Sequence, residues 1–330
     1  MSPRSRVWLS RLVHYGMCAA AVTWLAFNTD WERFRQVLGM ANWRLVLVAL
    51  LVFGPAPLLI SLRIKWLLTV QSIHISVWQA IKVTFAGNFL IFALPVGTGG
   101  GDTAKAYYIA RDTPHKHEAV MTVFFDRVIG VLGLLLMSGV IVLIDWGNPA
   151  FNRWRWVIGL TLLALASGAC VYFSTRIPRV LRFDQLVALL PLASHLQRID
   201  RAVLLFRRHP RRLAACMAIT VLLHATCVVS YFLAGWALNL VGDMGWHAFP
   251  VYLAYTPICL LAGALPIGVM EVTFSQLLAE AAHLGTPEAA ISLSFLGRLI
   301  QLAWSLPGAL VVLQGRPQVR PEPPAAIKPR

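Results

Sequence analysis

Apolar runs long enough to cross a lipid bilayer recur along this chain, and they constrain its fold more than any other feature. A hydrocarbon core of about 30 Å needs roughly 20 predominantly apolar residues in helix. Windows at 12–28, 43–62, 119–144, 155–174, 213–240 and 290–314 meet that need, the first only marginally. Inside a bilayer every backbone polar group must be satisfied within the protein, so these windows predict an all-α polytopic membrane protein with about six spanning helices. Composition agrees: 13% of the 330 residues are charged, about half the usual share of a soluble domain. The 29 Lys and Arg outweigh 14 Asp and Glu, for a net charge of +15. These bases lie between the apolar runs and not together on one soluble face, which argues against nucleic acid as a partner.

Five cysteines, Cys18, Cys170, Cys216, Cys227 and Cys259, all sit within apolar segments, without a C-x-x-C pair or a histidine at zinc-finger spacing. They read as small core residues, and neither a metal nor another cofactor is expected. Arg4, Arg6 and Arg11 followed by the apolar run Leu12 to Phe27 have the look of a signal peptide. Because further spans follow, an uncleaved first helix is the expectation.

Two more apolar stretches, 78–95 and 249–265, end in Leu-Pro followed by glycines. After Pro95 comes Gly97-Thr98-Gly99-Gly100-Gly101-Asp102 and then polar sequence to Glu118, whose charges cannot cross hydrocarbon. The chain must turn back, so 78–118 and 249–288 are predicted as re-entrant hairpins. Irregular glycine-rich backbone at that depth is tolerated only where protein buries it or where it lines a wet cavity. Orientation follows from short loops rich in Lys and Arg, which stay cytoplasmic. Residues 175–212 carry nine arginines against Asp184 and Asp200, and the tail 315–330 carries Arg316, Arg320, Lys328 and Arg330. Both are therefore assigned to the cytoplasm, the tail as disordered, with the N-terminus on the same side. The loop 241–248, with Asp243 and no Lys or Arg, faces out; the loop 29–44, with Arg33, Arg35 and Arg44, dissents mildly.

An internal repeat then emerges. Leu94-Pro95-Val96-Gly97 matches Leu265-Pro266-Ile267-Gly268, each followed within seven residues by an acid, Asp102 or Glu271. From Pro95 to Arg127 is 32 residues, and from Pro266 to Arg298 is also 32. Each half reads span, span, hairpin, span, with repeat one at about 12–144 and repeat two at about 155–314. Three spans per half is an odd number, so the copies are predicted to be inverted. Inverted repeats with broken helices near the midplane characterise secondary transporters.

Gly87-Asn88-Phe89, the run Leu94 to Asp102, Asp126-Arg127-Val128-Ile129-Gly130, and Leu265 to Glu271 with Arg298 resemble the transmembrane flippase domain of the lysylphosphatidylglycerol synthase family, over about residues 40–315. That family includes the membrane half of bacterial lysylphosphatidylglycerol synthase/flippases, archaeal proteins acting on dolichol-linked sugars, and a hopanoid-associated branch. The resemblance implies a membrane protein that handles anionic or isoprenoid lipids. With the chain ending at Arg330, no soluble aminoacyl-transfer domain is expected and lysine transfer is not carried over.

The substrate-binding candidates follow from chemistry. Successive glycines, Gly97, Gly99, Gly100 and Gly101, expose backbone N–H groups as a concave nest for a phosphate, with Lys105 adding charge, or else merely permit the turn between Pro95 and the next helix. No Lys-Ser/Thr follows them, so a P-loop is excluded. Arg127 and Arg298 lie inside apolar helices, where a charge costs at least roughly 2.5 kcal/mol and should face a cavity or pair. They read as ligands of a lipid phosphate, whose oxygens a guanidinium fits with a planar fork. The competing reading is a salt bridge of Arg127 with Asp102 or Asp126, and of Arg298 with Glu271. Asp102 either caps its helix, pairs with an arginine or carries protons. Asn88 hydrogen-bonds the hairpin or packs as a buried amide, and Pro266 and Gly268 shape the second turn.

These features predict a flippase-like transporter of an anionic or polyprenyl-phosphate-type lipid in the bacterial inner membrane, with membrane lipids as partners and a homo-oligomer compatible with the chain. An integral-membrane transferase, or an accessory protein of lipid and cell-envelope biosynthesis, hopanoids included, is the alternative. Catalysis is the less favoured reading, because Asp102, Asp126 and Glu271 are too scattered in sequence to declare an active site.

Overall fold

A computed structural model describes residues 31–93, 98–173, 209–265 and 268–314. The expected first span at 12–28, nearly all of the arginine-rich loop 175–212, the tail 315–330, and the site candidates Pro95, Gly97 and Pro266 lie outside the described residues. The described residues form helices and no strand.

The order is α1 (Trp31–Gly39), α2 (Trp43–Phe53), α3 (Pro55–Val70), α4 (Val77–Ala93), α5 (Thr98–Arg111), α6 (Lys116–Ile144), α7 (Arg155–Phe173), α8 (Pro210–Ala237), α9 (Phe249–Ala262), α10 (Val269–Phe274), α11 (Pro287–Ser305) and α12 (Pro307–Leu313). Three stretches among the described residues are long and apolar enough to cross a membrane: Trp43–Val70, Lys116–Ile144 and Pro210–Ala237. A fourth is the pair Pro287–Ser305 and Pro307–Leu313, bent by 45° at their junction.

The boundaries correct two sequence windows. The expected span 43–62 continues to Val70, because α2 and α3 form one run through Gly54. A proline at the first helical position needs no N–H partner, so Pro55 is tolerated at that junction. Gly54 is required there by packing: a Cβ would meet the Trp304 ring at 2.5 Å. The expected span 290–314 starts earlier, at Pro287, and bends where Pro307 removes a helix donor.

Starts are set locally. Asn42 Oδ1 accepts the backbone N–H groups of Arg44 and Leu45 to cap α2. At α4, Ser76 and Gln79 form a reciprocal capping box, each side-chain oxygen accepting the other's backbone N–H at 3.1 and 3.0 Å. Thr286 Oγ1 accepts from Ala289 N–H at 3.3 Å to open α11.

Helix α8 runs through the centre, packed on α2, α3, α6, α9 and α11. Small residues let these helices close up, as expected where lipid supplies no hydrophobic drive between them. Gly235 lies against the Tyr252 ring, Gly297 against Tyr231, and Gly308 against the Phe85 backbone. Around them Tyr231 stacks on Phe274 with ring planes 9° apart, and Gln301 Nε2 donates to the Tyr231 hydroxyl at 2.9 Å. Side chains facing outward are large and apolar, with Leu47, Leu51, Leu160 and Leu163 all exposed, which is what a lipid-facing surface requires. Trp43, Trp78, Trp156 and Trp246 are exposed near helix ends, where indoles favour the bilayer interface.

Candidate functional site

Each predicted hairpin contains two successive helices among the described residues. In the first, α4, which ends at Ala93, and α5, which begins at Thr98, pack against each other, and α5 then lies against α6. In the second, α9 is followed by a break, then α10, which continues as one wide π-type turn over Ser275–Ala281.

Two glycines of the first hairpin, Gly87 and Gly101, serve its close packing. Gly99, Gly100 and Gly101 lie in the first turn of α5 with helical backbone, so these three do not form the concave nest expected of them. A Cβ at Gly101 would lie 2.4 Å from the Gly87 carbonyl oxygen, and one at Gly87 would lie 2.4 Å from the Lys105 stem. Gly87 therefore opens a slot for Lys105, and Asn88, the next residue, meets its end: Lys105 Nζ donates to Asn88 Oδ1 at 2.9 Å. Lys105 is only 3% exposed. In the second hairpin the conformational need is real at Gly268, whose φ of 101° is the left-handed region that side chains rarely adopt.

The acids and arginines pair within each half. Arg127 on α6 donates from Nη2 to Asp102 Oδ1 at 2.6 Å, and its Nε contacts Asp102 Oδ2. Asp102 therefore sits inside α5 as an ion-pair partner and does not cap it. Glu271 on α10 accepts from Arg298 Nε on α11 at 2.8 Å with one oxygen and from the Gly268 N–H at 3.0 Å with the other. It thus ties the second break to the following span. The two pairs differ in access. Glu271 is 1% exposed and Arg298 25%, whereas Asp102 is 20% and Arg127 42%.

Asp126 does not bind Arg127, the alternative the sequence left open. Successive residues on a helix point about 100° apart, and Asp126 turns instead to Arg63 on α3, whose Nε donates to Asp126 Oδ1 at 2.7 Å. Arg63 Nη1 also donates to Thr220 Oγ1 on α8 at 3.0 Å. Both partners are almost fully enclosed. His224, one turn further along α8, has Nε2 3.0 Å from the Gly130 carbonyl oxygen. Sequence reasoning missed Arg63 because it falls one residue beyond the apolar window. The signal present was the renewed apolar run Trp66–Leu68 after it, which carries the helix onward.

The charges that act on Lys105 are Arg127, Asp102, Asp126 and Arg63. This cluster holds three cations against two acids, and both acids are already committed to arginines. Lys105 is left with a neutral amide and two further N–H donors. In the other half, Arg298 Nη2 is buried and makes no hydrogen bond among the described residues. Each half thus carries buried cationic donor capacity beyond what its acid uses, and such donors suit the oxygens of an anion. Among the described residues no three His, Cys, Asp or Glu side chains group as a metal-ligand set.

A family model described as the lysylphosphatidylglycerol synthase TM region matches residues 7–308. No curated protein and no solved structure matches the chain.

Proposed function

The chain belongs to the lysylphosphatidylglycerol synthase TM-region family, and on that premise we propose that it moves an anionic or isoprenoid-phosphate lipid between the leaflets of the bacterial inner membrane. The observation that carries this reading is the surplus positive charge in the first hairpin, where Lys105 is buried without an acid of its own among the described residues. A buried, uncompensated ammonium is costly, and an arriving phosphate relieves that cost. Arg127, exposed enough to be reached from outside the cluster, supplies the planar fork for the same group.

The two halves act as inverted repeats in this proposal, with the first hairpin entered from the cytoplasm and the second from outside. In each, the acid is a stand-in for the lipid phosphate: Asp102 and Glu271 hold their arginines until a head group displaces them. Exchange of partners then accompanies alternating access at the interface of the repeats. The termini and the arginine-rich loop 175–212 lie on the cytoplasmic side in this scheme.

Native mass spectrometry of the purified chain tests the assignment, comparing lipids retained by the wild type with those retained by an Arg127→Ala, Arg298→Ala double variant. Enrichment of a phosphate-bearing lipid in the wild type and its loss in the variant is the expected result. Identical bulk lipids on both would make the arginines structural and leave a scaffold of lipid synthesis as the better account.

A further inference from the structure

At one end of the bundle the loops around Asn148, Met244 and His283 form a cleft of about 570 Å³ whose mixed lining includes the charged Arg153 and Glu280. Next to it an apolar groove of about 400 Å³ runs between α6, α7, α9 and α10, walled by Leu135, Ile158, Leu162, Ile258 and Leu277. Arg153 lines both. The cleft and groove therefore adjoin at that side chain, with Glu280 lining the cleft and oily side chains lining the groove.

Three further observations give this arrangement a ligand chemistry. Ser138 Oγ and Trp154 Nε1 both belong to groove-lining residues, are buried, and make no hydrogen bond among the described residues. A buried donor left unsatisfied is expensive, so an oxygen acceptor is wanted beneath Arg153. Arg153 lies over the Trp154 ring, 5.8 Å from its centroid, and its Nη1 is 3.9 Å from Glu280 Oε2, at the limit of an ion pair, with both charged side chains exposed. Opposite charges set side by side at the mouth match a head group that carries both signs.

We propose that this cleft and groove bind a zwitterionic glycerophospholipid of the phosphoethanolamine class, at a site separate from the Asp102–Arg127 and Glu271–Arg298 pairs. The phosphate lies on Arg153 and the ammonium on Glu280. An ester carbonyl accepts from Trp154 Nε1 and Ser138 Oγ, and one acyl chain fills the groove. The order of these groups along the lipid is the order of the partners from cleft to groove. The inference needs only the membrane setting and not transport, so the two stand or fall separately.

The test uses the full chain in phosphatidylcholine vesicles with a trace of phosphatidylethanolamine carrying a diazirine in its acyl chain. After photolysis, label is expected on Val157 and Thr161 at the groove wall. Unlabelled phosphatidylethanolamine should displace it about tenfold better than phosphatidylglycerol, the equivalent of one hydrogen bond to a charged group. Diacylglycerol should displace it least. Glu280→Gln should erase the preference between the two phospholipids, and Arg153→Gln should weaken both. Equal displacement by all three lipids in the wild type, or a preference for phosphatidylglycerol, would overturn the proposal. An Arg127→Ala, Arg298→Ala variant should retain the labelling, and loss of labelling there would merge the two sites and overturn their separation.

Discussion

Arg127 engages Asp102 through two nitrogens, with Nη2 donating at 2.6 Å to one carboxylate oxygen and Nε contacting the other. The counterpart in the other half, Arg298 with Glu271, uses Nε at 2.8 Å and leaves Nη2 without a hydrogen bond among the described residues. Arg127 reaches its acid through two nitrogens yet is half exposed; Arg298 is more enclosed and has a buried Nη2 that makes no hydrogen bond among the described residues. That asymmetry makes the two pairs separable by mutation.

Glu271→Gln strands the Arg298 charge in an enclosed site and weakens the hold on the Gly268 N–H. Removing one partner of a buried pair costs about 3–5 kcal/mol. Asp102→Asn disturbs a more accessible pair, for which about 1 kcal/mol or less is the scale. Thermal unfolding in detergent should therefore show a large loss for Glu271→Gln and a small one for Asp102→Asn.

The Asp102→Asn variant should also separate binding from movement. If Asp102 competes with a lipid phosphate for Arg127, its neutral form releases the arginine to the lipid permanently. Retained anionic lipid should rise by native mass spectrometry while transport in vesicles slows. Wild-type transport by this variant would remove the gate.

Lys105→Gln keeps a hydrogen-bond donor for Asn88 and removes the surplus charge. The slot beside Gly87 accommodates the shorter side chain, so the fold should survive. Loss of anionic-lipid retention, with an unfolding temperature at or above that of the wild type, is the expected outcome. Retention at the wild-type level would show that Lys105 contributes nothing to the head-group site.

Arg63 and Asp126 are predicted to hold the bundle together. Arg63→Met alone leaves a buried carboxylate unpaired and should cost about 3–5 kcal/mol, whereas Arg63→Met with Asp126→Leu should recover most of it. A double-mutant cycle on unfolding temperature checks the coupling. The double variant should still retain anionic lipid.

How much of this was legible in the sequence differs residue by residue. The apolar windows announced helices because bilayer thickness sets a length that few soluble segments reach. The Leu-Pro-x-Gly breaks, each with an acid and an arginine at matched spacing, pointed to the acid–arginine pairs because a buried charge needs a partner and few were on offer. Arg63 stayed hidden for the converse reason: an apolar window ends where a charge appears, whether or not the helix does. The glycines of the first hairpin were ambiguous because a phosphate nest, a turn and a close helix contact all ask for a missing Cβ. Only packing reveals that Gly101 faces Gly87 and that Gly87 makes room for Lys105. Asn88 was noticed, but its partner on the next helix, 17 residues away, could not be named from spacing.

Transport by the paired hairpins is tested most directly by following a fluorescent phosphatidylglycerol between leaflets in vesicles containing either the wild type or an Arg127→Met, Arg298→Met variant. The wild type should move the lipid faster than protein-free vesicles, and the variant, reconstituted to the same level, should not. Equal movement by both proteins, or none by the wild type, would contradict a transport role for the paired hairpins.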